Sequence, residues 1–130
     1  MMKSILVTGG AGYIGSHVCK ELNKAGYLPI TYDNLSRGNE WAVKWGPFIK
    51  GDLLDLDYLK KVVSDYKPIA VLHFGALAYV GESVISPHLY FKNNVVGTLN
   101  LLEAMMDNSI KMLVFSSTCA VYGDPVQIPI

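Results

Sequence analysis

The feature that most constrains this chain is a set of glycines at 9, 12 and 15, in Thr8-Gly9-Gly10-Ala11-Gly12-Tyr13-Ile14-Gly15. It directly follows an apolar stretch, Ile5-Leu6-Val7, and directly precedes a helical pattern. A strand that turns at once into a helix needs each glycine for a different reason. Gly9 allows the tight turn, Gly12 leaves room for a bound group to approach the backbone, and Gly15 lets the helix lie close to the strand. The N–H groups of the first helical turn have no partner inside the helix and carry the positive end of its dipole, so they suit a phosphate. Strand, turn and helix in this order predict a dinucleotide pyrophosphate at residues 9–15.

The remaining pattern agrees with the parallel sheet that such a turn implies. Short continuous apolar runs mark strands at 4–8, 28–32, 48–50 (the weakest), 69–74 and 112–116. They lack polar alternation, as strands buried on both faces do. Between them, Ile14, Val18, Leu22 and Ala25 fall at helical spacing on one face of a first helix, which Gly26 ends. A second helix is predicted over 54–66, with Asp55 as N-cap, Leu59, Val62 and Val63 inward, and Pro68 beyond its end. A third covers 89–107, its inward set Val95, Leu99, Leu102 and Met106. The long loop 34–47 holds both tryptophans, and long loops in compact domains are often functional. The fold class is α/β, a Rossmann-like doubly wound parallel sheet with helices on both faces.

Composition narrows the function. The 130 residues suffice for one domain, 51% are hydrophobic, and 11 Lys plus Arg balance 11 Asp plus Glu. The basic residues are dispersed, so nucleic acid is not an expected partner. No apolar stretch nears the roughly 18 residues of a membrane span. Cys19 and Cys119 have no metal-ligand or disulfide spacing and read as buried small residues, so no metal site is expected and the setting is a cytoplasmic, soluble one.

Asp33 ends the second strand 18 residues beyond Gly15, near where an acidic residue meets the adenosine ribose. A carboxylate there accepts from both ribose hydroxyls and repels a 2′-phosphate, which selects NAD over NADP. Asp33 also suits a turn with Asn34, though the spacing favours the ribose. His73, alone at the end of a buried strand, reads as a hydrogen-bonded structural residue rather than a catalyst. Tyr79, Glu82 and Ser83 fall in the loop that follows, where they either meet a substrate or cap the next helix.

An ordered set of motifs then spans the chain: residues 8–17, Asp33-Asn34-Leu35, Gly51-Asp52-Leu53, His73-Phe74-Gly75-Ala76, Val80-Gly81-Glu82-Ser83, Asn93-Asn94-Val95 with Gly97-Thr98, and Ser116-Ser117-Thr118. In these the chain resembles the extended short-chain dehydrogenases and, within them, the UDP-glucose 4-epimerases. The resemblance implies NAD as cofactor and a UDP-sugar as the small-molecule substrate. It implies backbone contacts to the phosphates from Tyr13 and Ile14, ribose contacts from Asp33 and Asn34, and Asp52 with Leu53 beside the adenine. Phe74 and Ala76 would line the middle of the cofactor, Asn93 would reach it from the third helix, and Ser116 would lie under the nicotinamide. Thr118 takes the catalytic Ser/Thr position, its hydroxyl bonding the reacting sugar oxygen. A homodimer is implied for the full-length form.

Two departures qualify the resemblance. Ala78 stands where many such epimerases carry a lysine facing the nicotinamide ribose, a change also seen in relatives acting on UDP-pentoses. The family's catalytic Tyr-x-x-x-Lys pair does not occur, and Tyr122 is followed four positions on by Val126. The expectation is therefore an NAD-binding N-terminal portion, preceding the catalytic helix and the substrate domain and inactive alone. A nucleotide-sugar 4,6-dehydratase would show Thr-Asp-Glu where Ser117-Thr118-Cys119 stands. A non-catalytic NAD-binding module is the alternative from another class.

Overall fold

The computed structural model describes residues 2–129. In chain order it contains β1 (Ser4–Thr8), α1 (Tyr13–Lys24), β2 (Leu28–Asp33), β3 (Phe48–Lys50), α2 (Leu56–Tyr66), β4 (Ala70–His73), α3 (Val80–Ile85), α4 (Pro87–Tyr90), α5 (Gly97–Asp107) and β5 (Leu113–Phe115). All strand pairs are parallel and the order across the sheet is β3-β2-β1-β4-β5. The chain winds outward from β1 to β3 and then crosses back to β4. That reversal opens a crevice at the C-terminal ends of β1 and β4, where ligands bind in such sheets.

Both faces of β1 are covered. Leu6 joins Ile30, Tyr32 and Val71 in a cluster closed by Leu59 and Val63 of α2 and by Leu101, Ala104 and Met105 of α5. Ile5 and Val7 point the other way, to Cys19 of α1 and the partly buried Leu22, Leu72 and Phe74. This two-sided burial is why β1, β2 and β4 lack polar alternation, whereas β3 and β5, expected to be buried as well, lie at the sheet edges and are partly exposed. Asp55 caps α2 as expected, its carboxylate accepting from the Tyr58 N–H at 3.1 Å, and Gly26 takes a φ of +83° beyond the end of α1.

The structure corrects several expectations. In α1, Gly15 and Cys19 are the buried residues, while Ile14 and Ala25 are exposed. Gly15 lies so close to the turn that the helix rotates its small-residue face to the sheet. The third helix begins at Pro87 and contains a π turn, Phe91–Val96, before α5. Its expected inward set is outside: Val95, Leu99, Leu102 and Met106 are all exposed, and Gly97, Leu101, Ala104 and Met105 are buried. The wide turn shifts the helical phase after Val95. Gly97 and Ala104 then allow a close approach, and Lys60 of α2 fixes the rotation through ion pairs to Glu103 (2.7 Å) and Asp107 (2.8 Å). Residues 80–85, expected as loop, form α3. Cys119 is exposed rather than buried. Among the described residues no helix is long and apolar enough to cross a membrane.

Candidate dinucleotide site

The glycine turn is built by close contacts that only glycine permits. Gly9 has a φ of +70°, and a Cβ there would lie 2.6 Å from Gly75 N and from the Phe74 carbonyl carbon. A Cβ on Gly15 would lie 2.2 Å from Gly9 O. Gly12 differs: its Cβ would meet only Gly9 O, at 3.2 Å, so this glycine is left open on its outer side.

The helix start beyond it is uncapped. Gly12 occupies the N-cap position with no side-chain hydrogen bond, and the first turn of α1 holds no acidic residue. The N–H of Ser16 already bonds Gly12 O at 3.0 Å. Those of Tyr13, Ile14 and Gly15 take no protein acceptor among the described residues. Three N–H groups at the positive end of a 12-residue helix, beside a backbone without a side chain, form a cradle of the kind that suits a phosphate.

Asp33 is held at the floor of the crevice, 9% exposed. One carboxylate oxygen accepts from Ala11 N at 3.0 Å and the other from Leu35 N at 2.8 Å. The carboxylate thus meets the cradle and also starts the turn in which Asn34 Oδ1 accepts from Ser36 N at 2.9 Å, so both expected roles of this dipeptide are compatible. Asn34 Nδ2 donates to Asp52 Oδ2 at 3.1 Å, which ties the loop after β2 to the loop after β3. The Leu53 side chain packs into the core, with its Cδ1 close to Gly75 beyond β4.

His73 is buried and bonded at both ring nitrogens, to Thr8 Oγ1 at 2.5 Å and to Thr98 Oγ1 at 3.0 Å. The Thr98 hydroxyl donates to Asn94 O at 2.6 Å, so it accepts from His73, and the ring proton sits on Nε2. The Thr8 hydroxyl then donates to Nδ1. Burial pushes the imidazole pKa down to about 4. His73 is a neutral brace joining β1, β4 and α5, as its sequence position suggests.

Phe74 is half-buried and Ala76 exposed at the C-terminal end of β4. Asn93 lies in the π turn and donates to Asn94 Oδ1 at 2.9 Å. Asn94 clamps the same loop, accepting from Leu77 N and donating to Leu77 O, both at 2.9 Å. Its function was readable only as half of an Asn-Asn pair. Ser116 and Thr118 lie exposed beyond β5, on the same edge of the sheet as the cradle. Thr118 also caps a single turn, accepting from Ala120 N at 3.2 Å. Among the described residues no hydrogen bond links these two to the cradle.

A doubly wound parallel sheet with an uncapped phosphate cradle and a carboxylate on the neighbouring strand defines a dinucleotide-binding domain. The chain belongs to the NAD dependent epimerase/dehydratase family, whose pattern matches residues 5–130. It is 54% identical over 126 residues to a UDP-glucose 4-epimerase of Rhizobium meliloti, covering 97% of this chain and 38% of that protein. Its structure is similar, with a TM-score of 0.95 and 51% identity, to UDP-glucose 4-epimerase from Brucella ovis in complex with NAD, covering 98% of this chain and 39% of that one. A UDP-glucose 4-epimerase of Stenotrophomonas maltophila with bound NAD and formylated UDP-arabinopyranose gives a TM-score of 0.93 at 38% identity, covering 100% of this chain and 41% of that one. The chain thus spans about two fifths of the length of these relatives.

Proposed function

We propose that the chain binds NAD across the glycine turn and serves as the cofactor-holding part of a UDP-glucose 4-epimerase, which interconverts UDP-glucose and UDP-galactose. The observation that carries this reading is the open Gly12 and the three unpaired N–H groups of α1 beside the Asp33 carboxylate. Tyr13, Ile14 and Gly15 hold the pyrophosphate through backbone N–H groups. Asp33 and Asn34 hold the adenosine ribose, and Asp52 and Leu53 border the adenine. Phe74, Ala76 and Asn93 line the central part, with Ser116 beneath the nicotinamide. When bound, NAD supplies a reversible hydride acceptor. The Thr118 hydroxyl holds the sugar C4 oxygen in line, a positioning role. The substrate is a UDP-sugar, the setting cytoplasmic, and the working form a homodimer, to which the exposed apolar residues of α5 lend support. Ala78 and the arabinopyranose ligand of the Stenotrophomonas relative favour a UDP-pentose as the second reading.

No tyrosine in the 130 residues is followed four positions on by lysine. The chain itself is therefore expected to bind NADH without turning over UDP-galactose, whereas a chain of the relatives' length that begins with these residues converts it. Turnover by the 130 residues, or none by the longer chain, refutes the corresponding half of this reading. Asp33→Asn is expected to weaken NADH binding by about 10- to 100-fold, the effect of losing hydrogen bonds to a charged acceptor. Titration by quenching of tryptophan fluorescence measures it. An unchanged Kd removes Asp33 from the ribose site.

A further inference from the structure

Arg37 stands four residues beyond Asp33, in the loop after β2, but its side chain does not stay on that wall of the crevice. Its Nη2 donates to both carboxylate oxygens of Glu82, each at 2.6 Å. Its guanidinium carbon lies 4.9 Å from the centre of the Tyr79 ring, within the range of a cation–π contact. Glu82 lies in α3, which follows β4. Because β1 lies between β2 and β4 in the sheet, a bond from the loop after β2 to the helix after β4 must cross the C-terminal end of β1. That end is where the phosphate cradle begins.

The height of the crossing can be read from exposure. Arg37 and Glu82 are 43% and 34% exposed, whereas Asp33 and Ala11 are 9% and 1% exposed. The ion pair therefore runs along the rim and the cradle forms the floor. The far end of the crossing is anchored. The Tyr90 hydroxyl donates to Glu82 Oε2 at 2.7 Å and accepts from Tyr79 N at 3.1 Å. With Tyr90 and Arg37 both bonded to it, the Glu82 carboxyl is held below the usual carboxylate range and is ionised at neutral pH. A lone carboxylate at this rim would repel a pyrophosphate. Paired with Arg37, it closes the rim at no net charge.

We propose that Arg37 and Glu82 form a strap over the dinucleotide crevice, and that opening of this strap governs release of the bound dinucleotide. The strap rests on the NAD-binding reading above, since a dinucleotide reaching from Asp33 past the glycine turn toward β4 runs beneath it. Glu82 and Arg37 are positioning residues in this scheme. Their effect falls on the rate of leaving, not on the contacts at the floor.

The test is stopped-flow release of NADH from the purified protein, chased with excess NAD. Arg37→Ala and Glu82→Gln are each expected to speed release about fivefold, the upper range for an exposed ion pair. The double variant is expected to release no faster than either single one, because both break the same bond. The exchanged pair, Arg37→Glu with Glu82→Arg, is expected to restore slow release, and 1 M salt to bring the unaltered protein toward the single variants. Urea midpoints stay within the range of a surface substitution, which separates the strap from a general loss of structure. Release rates equal to the unaltered protein in both single variants, or effects that multiply in the double one, overturn the strap and leave the NAD reading standing. Failure of the unaltered protein to bind NADH overturns both.

Discussion

Alanine at position 9 is expected to destabilise the domain by about 2 to 5 kcal/mol and to abolish NADH binding with it. Two effects combine. At a φ of +70° a Cβ meets its own backbone, a cost of roughly 1–2 kcal/mol. The same Cβ lies 2.6 Å from Gly75 N and the Phe74 carbonyl carbon, which are backbone atoms of the adjoining strand end and cannot rotate away. Relieving that contact requires β1 and β4 to separate at their C-terminal ends, a further cost of about 1–3 kcal/mol for overpacking. Against a total of about 5–15 kcal/mol, such a loss leaves little folded protein at the lower end. Gly26→Ala is the control. Gly26 also has a positive φ, +83°, but nothing lies within 4 Å of its added Cβ, so it should lose only about 1 kcal/mol. Urea denaturation of the two variants measures the difference, and equal losses would show that the Gly9–Gly75 approach contributes nothing.

The second large effect is a fall in stability with acid, centred on His73. Its folded-state pKa is about 4, because of burial, against an ordinary value of 6.5. Between those values the unfolded chain binds more protons than the folded one, so stability rises with pH. The contribution is complete above pH 6.5 and is lost progressively as pH falls toward 4, by about 3 kcal/mol in all. The hydrogen bonds give the cause a concrete form. A proton on Nδ1 would face the Thr8 hydroxyl, which already accepts from Gly75 N at 3.4 Å and would have to reverse its own hydrogen. His73→Asn removes the titration, and urea midpoints from pH 7 to 4.5 should then lose one proton's worth of slope. A slope unchanged by this substitution would place the acid sensitivity elsewhere.

Much of this was legible in the residues because it depended on local chemistry. The central strands β1, β2 and β4 are apolar runs buried on both faces, whereas the edge strands β3 and β5, which read as buried, are partly exposed. Asp55 is a cap ahead of a periodic segment, and Gly9, Gly12 and Gly15 fall at a spacing whose steric reasons the structure bears out. The faces of α1 and α5 were not legible, since counting large apolar residues misses a face made of Gly15, Cys19, Gly97 and Ala104. The π turn at Phe91–Val96 has no sequence signature and shifts every position after it. The strap was invisible for another reason. Arg37 and Glu82 are 45 positions apart, and only the strand order β2-β1-β4 brings their loops to one rim. Asn94 and Thr98 likewise acquire roles through partners on β4 and its loop.

The bond between Thr8 and His73 spans 65 positions, and this has a consequence in time. At about 5–20 residues per second, β4 emerges from a ribosome roughly 3 to 13 s after β1. During that interval β1 has β2 as a neighbour but no partner on its other edge, and Gly9 has no Gly75 to rest against. Closing so long a loop is entropically unfavourable until the β1–β4 ladder compensates for it. The cradle's wall therefore forms only when β4 pairs with β1, and a nascent chain acquires the ability to grip a nucleotide in that event, before β5 is added to the sheet.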